Sequence, residues 1–241
     1  MAGTGSRLRG SADTIAKPLI PIAGRPLISY AIDSFDQAGV TTLHAVVGPN
    51  GDELAAALAP LLPSHMRFRP IANPNWQKQN GVSLLTAAGK VRAPFFLAMG
   101  DHLFESSILE QLIARADLNR LNLAIDKKID SIFDLDDAMK VRTEDNLIVA
   151  IGKKLETYNA IDTGIFLCPE IVFDYLRRAL KDDDCSLADG VRLMAEDGKA
   201  LASDIGKAWW QDVDTPEMLK RAEQEAQRLS RSVQSAGGTT E

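Results

Sequence analysis

The chain has 241 residues and a formal net charge of −6; 45% of its residues are apolar and 25% are charged. These proportions are typical of globular proteins and exclude a fibrous or wholly disordered chain. The excess of 33 acidic over 27 basic residues disfavours a nucleic-acid-binding protein, which needs a basic face to neutralise phosphates. Two cysteines cannot form a disulfide framework, and no run approaches the roughly 18 apolar residues of a membrane span. We therefore expect a cytoplasmic protein that binds no nucleic acid and does not insert into a membrane.

Apolar segments of strand type alternate with segments of helical period through the first half of the chain. The predicted strands are 43–48, 66–71, 95–99 and 121–125, and the predicted helices are 27–38, 52–62, 81–90 and 106–116. Such alternation is typical of parallel strands joined by right-handed helical crossovers. It predicts a three-layer α/β/α fold with a mostly parallel, mixed sheet.

The pattern changes after residue 124. Short strands predicted at 139–142, 147–151 and 161–167 are separated by turn residues and indicate an antiparallel extension of the sheet. The last predicted helix begins at Thr215-Pro216, since threonine is a good cap and proline suits the first helical position. Its apolar stripe ends at Leu229. We predict a single domain of residues 1–229 and a mobile tail of residues 230–241, which has little to bury.

The N-terminal segment carries the most informative motif. Gly3 and Gly5 allow successive backbone N–H groups to approach phosphate oxygens closely. Arg7 offers a forked cationic donor, and Lys17 a compact charge. A dinucleotide fingerprint would need a third glycine where Leu8 stands. The segment therefore predicts a phosphate-binding loop, with a flexible basic arm as the simpler alternative.

The spacing of the whole segment, Gly-x-Gly-x-Arg-Leu followed by Lys-Pro-Leu, resembles the signature of the sugar-phosphate nucleotidyltransferases. These enzymes join a nucleoside triphosphate to a sugar phosphate or similar phosphate and release pyrophosphate. Similar motifs are Asn80-Gly81-Val82-Ser83-Leu84, Met99-Gly100-Asp101-His102, Ile151-Gly152-Lys153-Lys154-Leu155, Ile161-Asp162-Thr163-Gly164 and Trp210-Gln211-Asp212-Val213-Asp214-Thr215-Pro216. Within the superfamily, the chain most resembles the CTP:inositol-1-phosphate cytidylyltransferases. The resemblance implies a Rossmann-like nucleotidyltransferase fold, with CTP and a phosphorylated small molecule as partners, and it allows a homo-oligomer.

One feature departs from the family pattern. Family members have an apolar strand that runs into the glycine loop, whereas this chain begins at Met1, directly at the loop. We interpret the apparently missing first strand as a misassigned start codon or a trimmed chain. Its absence predicts unpaired backbone groups on two neighbouring strands and an apolar gap beside them.

Two carboxylates are the candidate metal ligands. Asp101 follows an apolar strand, and open α/β sheets bind ligands at such carboxyl ends. Asp212 matches the second metal position of the family, and Asp214 is a reserve candidate. The resemblance implies Mg²⁺, which prefers hard oxygen ligands and can offset charge on the reacting phosphates. A turn or helix cap is the alternative for each aspartate, and His102 is expected to orient its neighbours rather than to bind metal.

Other motif residues are candidates for the two substrates. Asn80, Gly81 and Ser83 are candidates for the base, because a carboxamide suits a pyrimidine edge and glycine admits close approach. Nothing in them separates cytosine from uracil, so the choice of CTP depends on the resemblance; a helix cap is the alternative for Asn80. Lys153 and Asp162 are candidates for the acceptor's phosphate and hydroxyl groups. A solvated surface position explains Lys153 equally well.

The functional hypothesis is cytidylyl transfer from CTP to inositol 1-phosphate or a similar polyol phosphate. Arg7 and Lys17 would grip the triphosphate and stabilise the leaving pyrophosphate. The alternatives are cytidylyl or uridylyl transfer to a hexose phosphate, phosphocholine or an aminophosphonate. A non-catalytic nucleotide sensor of the same fold is a further alternative.

Overall fold

A computed structural model describes residues 16–236 of the protein and the side chains of residues 16–228. The strands are β1 (Pro21–Ile22), β2 (Arg25–Pro26), β3 (Thr42–Val47), β4 (Arg67–Ala72), β5 (Phe95–Ala98), β6 (His102–Phe104), β7 (Leu121–Asp126), β8 (Lys140–Glu144), β9 (Leu147–Gly152), β10 (Ala160–Cys168), β11 (Ala200–Asp204) and β12 (Trp210–Asp212). The helices are α1 (Leu27–Gln37), α2 (Gly51–Leu58), α3 (Asn80–Leu85), α4 (Ser107–Arg115), α5 (Val172–Ala179), α6 (Leu187–Glu196) and α7 (Pro216–Ala236). Gly3, Gly5 and Arg7, which are predicted to bind phosphate, lie outside the described residues.

The main sheet has six strands in the order β5-β10-β7-β11-β9-β8. Strand β10 runs antiparallel to both β5 and β7, whereas β7 and β11 run parallel. A separate parallel pair is formed by β3 and β4. The predicted mixed sheet is confirmed. Among the described residues, however, the main sheet has more antiparallel strand pairs than the sequence pattern predicted. The reason is that β10, predicted as part of an extension, lies inside the sheet.

The sheet is covered on both faces, as the three-layer prediction requires. Successive side chains of a strand point to opposite faces of the sheet, so neighbouring residues pack into two different apolar clusters, one on each face. Leu123 and Phe166 pack with α5 and α6, whereas Ala124 and Ile165 pack with α1, α2 and α4. The three-layer α/β/α architecture is therefore confirmed.

A large cavity of mixed polar and apolar lining lies between β3 and β5. Within residues 16–236, β3 pairs only with β4, and β5 pairs only with β10. Residues of both strands line the cavity, which has a volume of about 1480 Å³. Phe35 of α1 contributes to its apolar wall, together with Leu43 and Phe96. Among the described residues, β3 and β5 thus each have one paired edge and face a common cavity; that a strand is missing from the sheet stays a prediction.

Three helix ends differ from the predictions. Helix α2 stops at Leu58 rather than at residue 62, and a 3₁₀ turn follows at Ala59–Leu61. Helix α3 stops at Leu85 rather than at residue 90, since the Thr86 hydroxyl donates to the Ser83 carbonyl at 2.7 Å and tighter turns follow. Helix α7 continues to Ala236, beyond the predicted domain boundary at residue 229. Residues 230–236 contain no glycine or proline that would end a helix. None of the described helices combines the length and apolar character needed to cross a membrane.

Candidate active site

A short two-stranded ladder brings the two predicted metal ligands together. Strand β6 pairs antiparallel with β12, so that Asp212 lies opposite His102. The Val213 amide extends the ladder by donating to the Asp101 carbonyl at 3.0 Å. Both carboxylates line one cavity of about 510 Å³. The ladder therefore explains how residues more than 100 positions apart reach the same wall.

Lys17 lies between two of the site carboxylates. Its Nζ donates to Asp101 Oδ2 at 2.7 Å and also to Asp214, and its side chain is only 12% exposed. Burial acts to lower the pKa of Lys17, but Asp101 and Asp214 raise it above the ordinary value. An ammonium group has three donors, and among the described residues only two of them have acceptors, so one is open to a phosphate oxygen. Asp214, the reserve candidate for a metal ligand, thus contacts Lys17, the residue that is predicted to bind the triphosphate.

Asp101 is held in its charged form by two neighbours. Burial acts to raise the pKa of this carboxyl, but His102 and Lys17 hold it well below its usual range. The His102 ring donates from Nδ1 to Asp101 Oδ1 at 2.8 Å, since a carboxylate can only accept. Burial acts to lower the pKa of His102, but this hydrogen bond raises it above its ordinary value. This hydrogen bond places His102 where it could orient Asp101, and that role stays a prediction.

Asp212 has a different environment. Its carboxylate accepts no hydrogen bond from the described residues, and burial together with the nearby charges of Asp214 and Asp101 raises its pKa, although His102 opposes this. A cation would offset this charge, and two carboxylates fit Mg²⁺, which is usually held by one or two carboxylates, water and substrate phosphates. No group of three or more His, Cys, Asp or Glu side chains gathers at metal-binding distances in the described part of the chain. The two carboxylates therefore suit a magnesium ion that keeps several waters, some of which substrate phosphates can replace.

Of the three predicted base-binding residues, two line a cavity and one does not. Asn80 and Ser83 line the larger cavity, but Gly81 lines neither cavity. A Cβ at Gly81 would lie 2.7 Å from the Cys185 carbonyl oxygen, so this glycine allows α3 to approach the loop before α6. Asn80 does not cap its own helix. Its Oδ1 accepts from the Leu187 amide at 2.8 Å and so satisfies the first turn of α6.

The predicted acceptor residues share the smaller cavity with Asp101 and Asp212. Lys153 is half-exposed, and its Nζ donates to Asp137 Oδ1 at 2.6 Å. Asp162 Oδ1 accepts from the Gly164 amide at 2.7 Å. Burial raises the pKa of Asp162 to about 6, although the Gly164 amide and His102 favour the charged form. Lys153 also lines the larger cavity, as do Asp101 and Asp214. These three side chains thus lie where the two cavities meet.

Sequence reasoning missed several side chains of the smaller cavity. Asp126 ends the buried strand β7, so the argument applied to Asp101 would have found it. Asp137 lies in a loop without a recognisable motif. Arg221, on α7, places its guanidinium carbon 5.1 Å from the centre of the Phe133 ring, and both residues line this cavity. No local pattern marks these last three residues, because only the tertiary fold brings their segments together.

Comparison with known proteins places this arrangement in a family. The family described as the MobA-like NTP transferase domain matches residues 1–129, which is more than half of the chain. The chain belongs to this family. The match covers Lys17 and Asp101, and also the predicted loop residues Gly3, Gly5 and Arg7.

Similar proteins extend the likeness across most of the chain. It is 30% identical over 223 residues to a bifunctional IPC transferase and DIPP synthase of Aquifex aeolicus, covering 91% of this chain and 49% of that protein. The corresponding protein of Rubrobacter xylanophilus is 32% identical over 226 residues, covering 92% and 50%. The chain therefore spans about half the length of the curated relatives it matches. The structure of the inositol-1-phosphate CTP transferase from T. maritima superimposes with a TM-score of 0.80 at 27% identity, covering 92% of this chain and 93% of that one.

Proposed function

We propose that the protein transfers the cytidylyl group of CTP to inositol 1-phosphate or a similar polyol phosphate and releases pyrophosphate. The observation that carries the proposal is the position of Asp101, Asp214 and Lys153 at the meeting of two cavities. A group transfer between two anionic substrates needs such a boundary, because both substrates must contact the same charged groups. The resemblance to the inositol-1-phosphate CTP transferase supports the choice of substrates.

In the proposed reaction, a phosphate oxygen of the acceptor attacks the α-phosphorus of CTP. The bond from the α-phosphorus to the bridging oxygen breaks, and its electron pair leaves with pyrophosphate. Lys17 and Arg7 would stabilise the charge on the triphosphate and on the departing group. Gly3 and Gly5 would present backbone amides to the phosphates, and Asn80 and Ser83 would contact the base. Mg²⁺ held by Asp101 and Asp212 would neutralise charge that develops on the phosphate oxygens.

The smaller cavity suits a polyol better than a quaternary ammonium. Asp134, Asp137 and Asp162 line it, and carboxylates accept hydrogen bonds from hydroxyl groups. Lys153 would contact the acceptor phosphate. The aromatic side chains that line the smaller cavity have other contacts. Trp210 is stacked on His102, Phe133 lies against the Arg221 guanidinium, Phe166 is buried in the core, and Trp209 packs against a separate apolar cluster. Homo-oligomerisation and a cytoplasmic location stay predictions.

A pyrophosphate-release assay tests the proposal. CTP, UTP, ATP and GTP are each combined with inositol 1-phosphate, glucose 1-phosphate, phosphocholine or 2-aminoethylphosphonate, with Mg²⁺ present. We expect release with CTP and inositol 1-phosphate above all other pairs, and none after chelation of the metal. Preference for another pair would refute the substrate assignment. CTP binding without release in any pair would support a nucleotide sensor instead.

A further inference from the structure

Four side chains form a connected row from strand β7 to the metal-ligand candidate Asp101. Trp210 donates from Nε1 to Asp126 Oδ2 at 3.0 Å. The Trp210 and His102 rings are stacked, with centroids 5.8 Å apart and planes inclined by 19°. His102 in turn donates to Asp101 Oδ1 at 2.8 Å. Every link has the geometry of a favourable contact.

The far end of this row is fixed firmly. Asp126 is the last residue of β7 and is only 3% exposed. Its Oδ1 accepts from the Lys128 amide at 2.7 Å, and the Lys128 ammonium lies 2.9 Å from the same oxygen. The other oxygen receives the Trp210 indole. Because both oxygens are bonded, Asp126 can hold the indole in one orientation.

The imidazole of His102 is enclosed by its neighbours. Its side chain is 13% exposed. A Cβ at Gly164 would lie 2.7 Å from His102 Nε2, so the Gly164 backbone closes that edge of the ring. Trp210 covers a face, and Asp101 receives Nδ1. Without the indole, the ring would gain room to rotate and release the Asp101 oxygen.

We propose that Trp210, held by Asp126, is a positioning residue that fixes His102 and through it the orientation of the Asp101 carboxylate. The inference rests on the proposed function, in which Asp101 is a ligand of the magnesium ion. Asp101 has two roles, since its other oxygen binds Lys17. A fixed carboxylate would therefore set the relative position of the metal and the cation that contacts the triphosphate. Outer groups of this kind orient metal ligands in many sites.

Two variants of Trp210 separate the stacked ring from its indole N–H. Trp210→Phe keeps a flat ring over His102 and loses the hydrogen bond to Asp126, whereas Trp210→Leu keeps apolar volume without a flat ring. The comparison includes His102→Ala and the double variant Trp210→Leu/His102→Ala. Mn²⁺ affinity is measured by electron paramagnetic resonance, and the His102 Nδ1–H signal is followed by NMR in ¹⁵N-histidine-labelled protein. Circular dichroism confirms folding.

We expect Trp210→Leu and His102→Ala each to weaken Mn²⁺ binding by about tenfold, the lower limit for loss of an outer partner of a metal ligand. Trp210→Phe should retain most of the affinity. The His102 Nδ1–H signal should persist in Trp210→Phe and vanish in Trp210→Leu. The double variant should bind Mn²⁺ as His102→Ala does, because Trp210 acts through the imidazole.

Three results would overturn the inference: unchanged Mn²⁺ affinity in folded Trp210→Leu, additive losses in the double variant, or no protected Nδ1–H signal in the wild-type protein. These results do not depend on the substrates. A wild-type protein that gives the expected Mn²⁺ and NMR results but releases no pyrophosphate would contradict only the proposed function. With active protein, Trp210→Leu should lower kcat more than it raises the KM for inositol 1-phosphate.

Discussion

Replacing Asp162 by asparagine should alter the pH dependence of stability in a defined direction. Burial raises the pKa of this carboxyl from 3.8 to about 6. In the unfolded chain the group returns to its ordinary value, so between these two values the folded protein holds a proton that the unfolded chain releases. The stability that this proton contributes is fully present below the unfolded pKa and is lost as the pH rises through the folded pKa.

The size of the effect follows from the shift. It amounts to about two pKa units, and each unit corresponds to about 1.4 kcal/mol, so that burying the charge costs about 3 kcal/mol. Asp162→Asn cannot ionise, and its carboxamide oxygen can still accept from the Gly164 amide. Relative to wild type, the free energy of unfolding of Asp162→Asn should therefore increase by up to about 3 kcal/mol between about pH 4 and pH 7.5.

Urea unfolding followed by circular dichroism at several pH values measures this difference. Asp136→Asn, which changes an exposed carboxylate of the loop before β8, controls for the altered net charge. Its stability difference from wild type should be nearly independent of pH. Parallel stability profiles for Asp162→Asn and wild type would refute the argument, because they would show that burial does not penalise the charged form.

Further substitutions test other parts of the site. Asp101→Ala and Asp212→Ala should each abolish pyrophosphate release while circular dichroism shows an intact fold; full turnover by either would contradict the metal assignment. Lys17→Ala should weaken CTP binding in calorimetry by about tenfold or more, since a hydrogen bond to a charged group contributes about 1.5–3 kcal/mol; unchanged affinity would remove Lys17 from the triphosphate site. Gly164→Ala should lower the free energy of unfolding by about 1–3 kcal/mol, because Gly164 has a φ of +72° and its Cβ would meet His102. Gly198→Ala is the matched control for that change, since Gly198 has a φ of +64° and nothing lies within 4 Å of its added Cβ, and equal losses would refute the steric explanation.

Local patterns predicted most helices and strands close to their observed bounds. The apolar spacing of residues 27–38 predicted α1, whose buried side chains include Ile28, Ile32 and Phe35. Strand β10 was found as an element, but its central position was not, because alternation within one segment does not specify which strands will be its neighbours. The carboxamide of Asn80 suggested a contact with the base. The sequence around Asn80 gave no sign that this group would instead accept a hydrogen bond from the Leu187 amide, which belongs to a distant helix.

The amino-acid sequence by itself determined the repeating strands and helices, the location of Asp101 after an apolar strand, and the motif spacing that indicates the family. Each of these features can be recognised from residues that are close together in the sequence, within one helix, one strand or one motif. Tertiary structure decided that Asp212 lies beside Asp101 and that Lys17 joins Asp101 to Asp214. It also decided that Trp210 covers His102. Such contacts form when distant segments pair and bury their side chains together. They depend on which segments become neighbours in the fold, and the local sequence of one segment does not specify this.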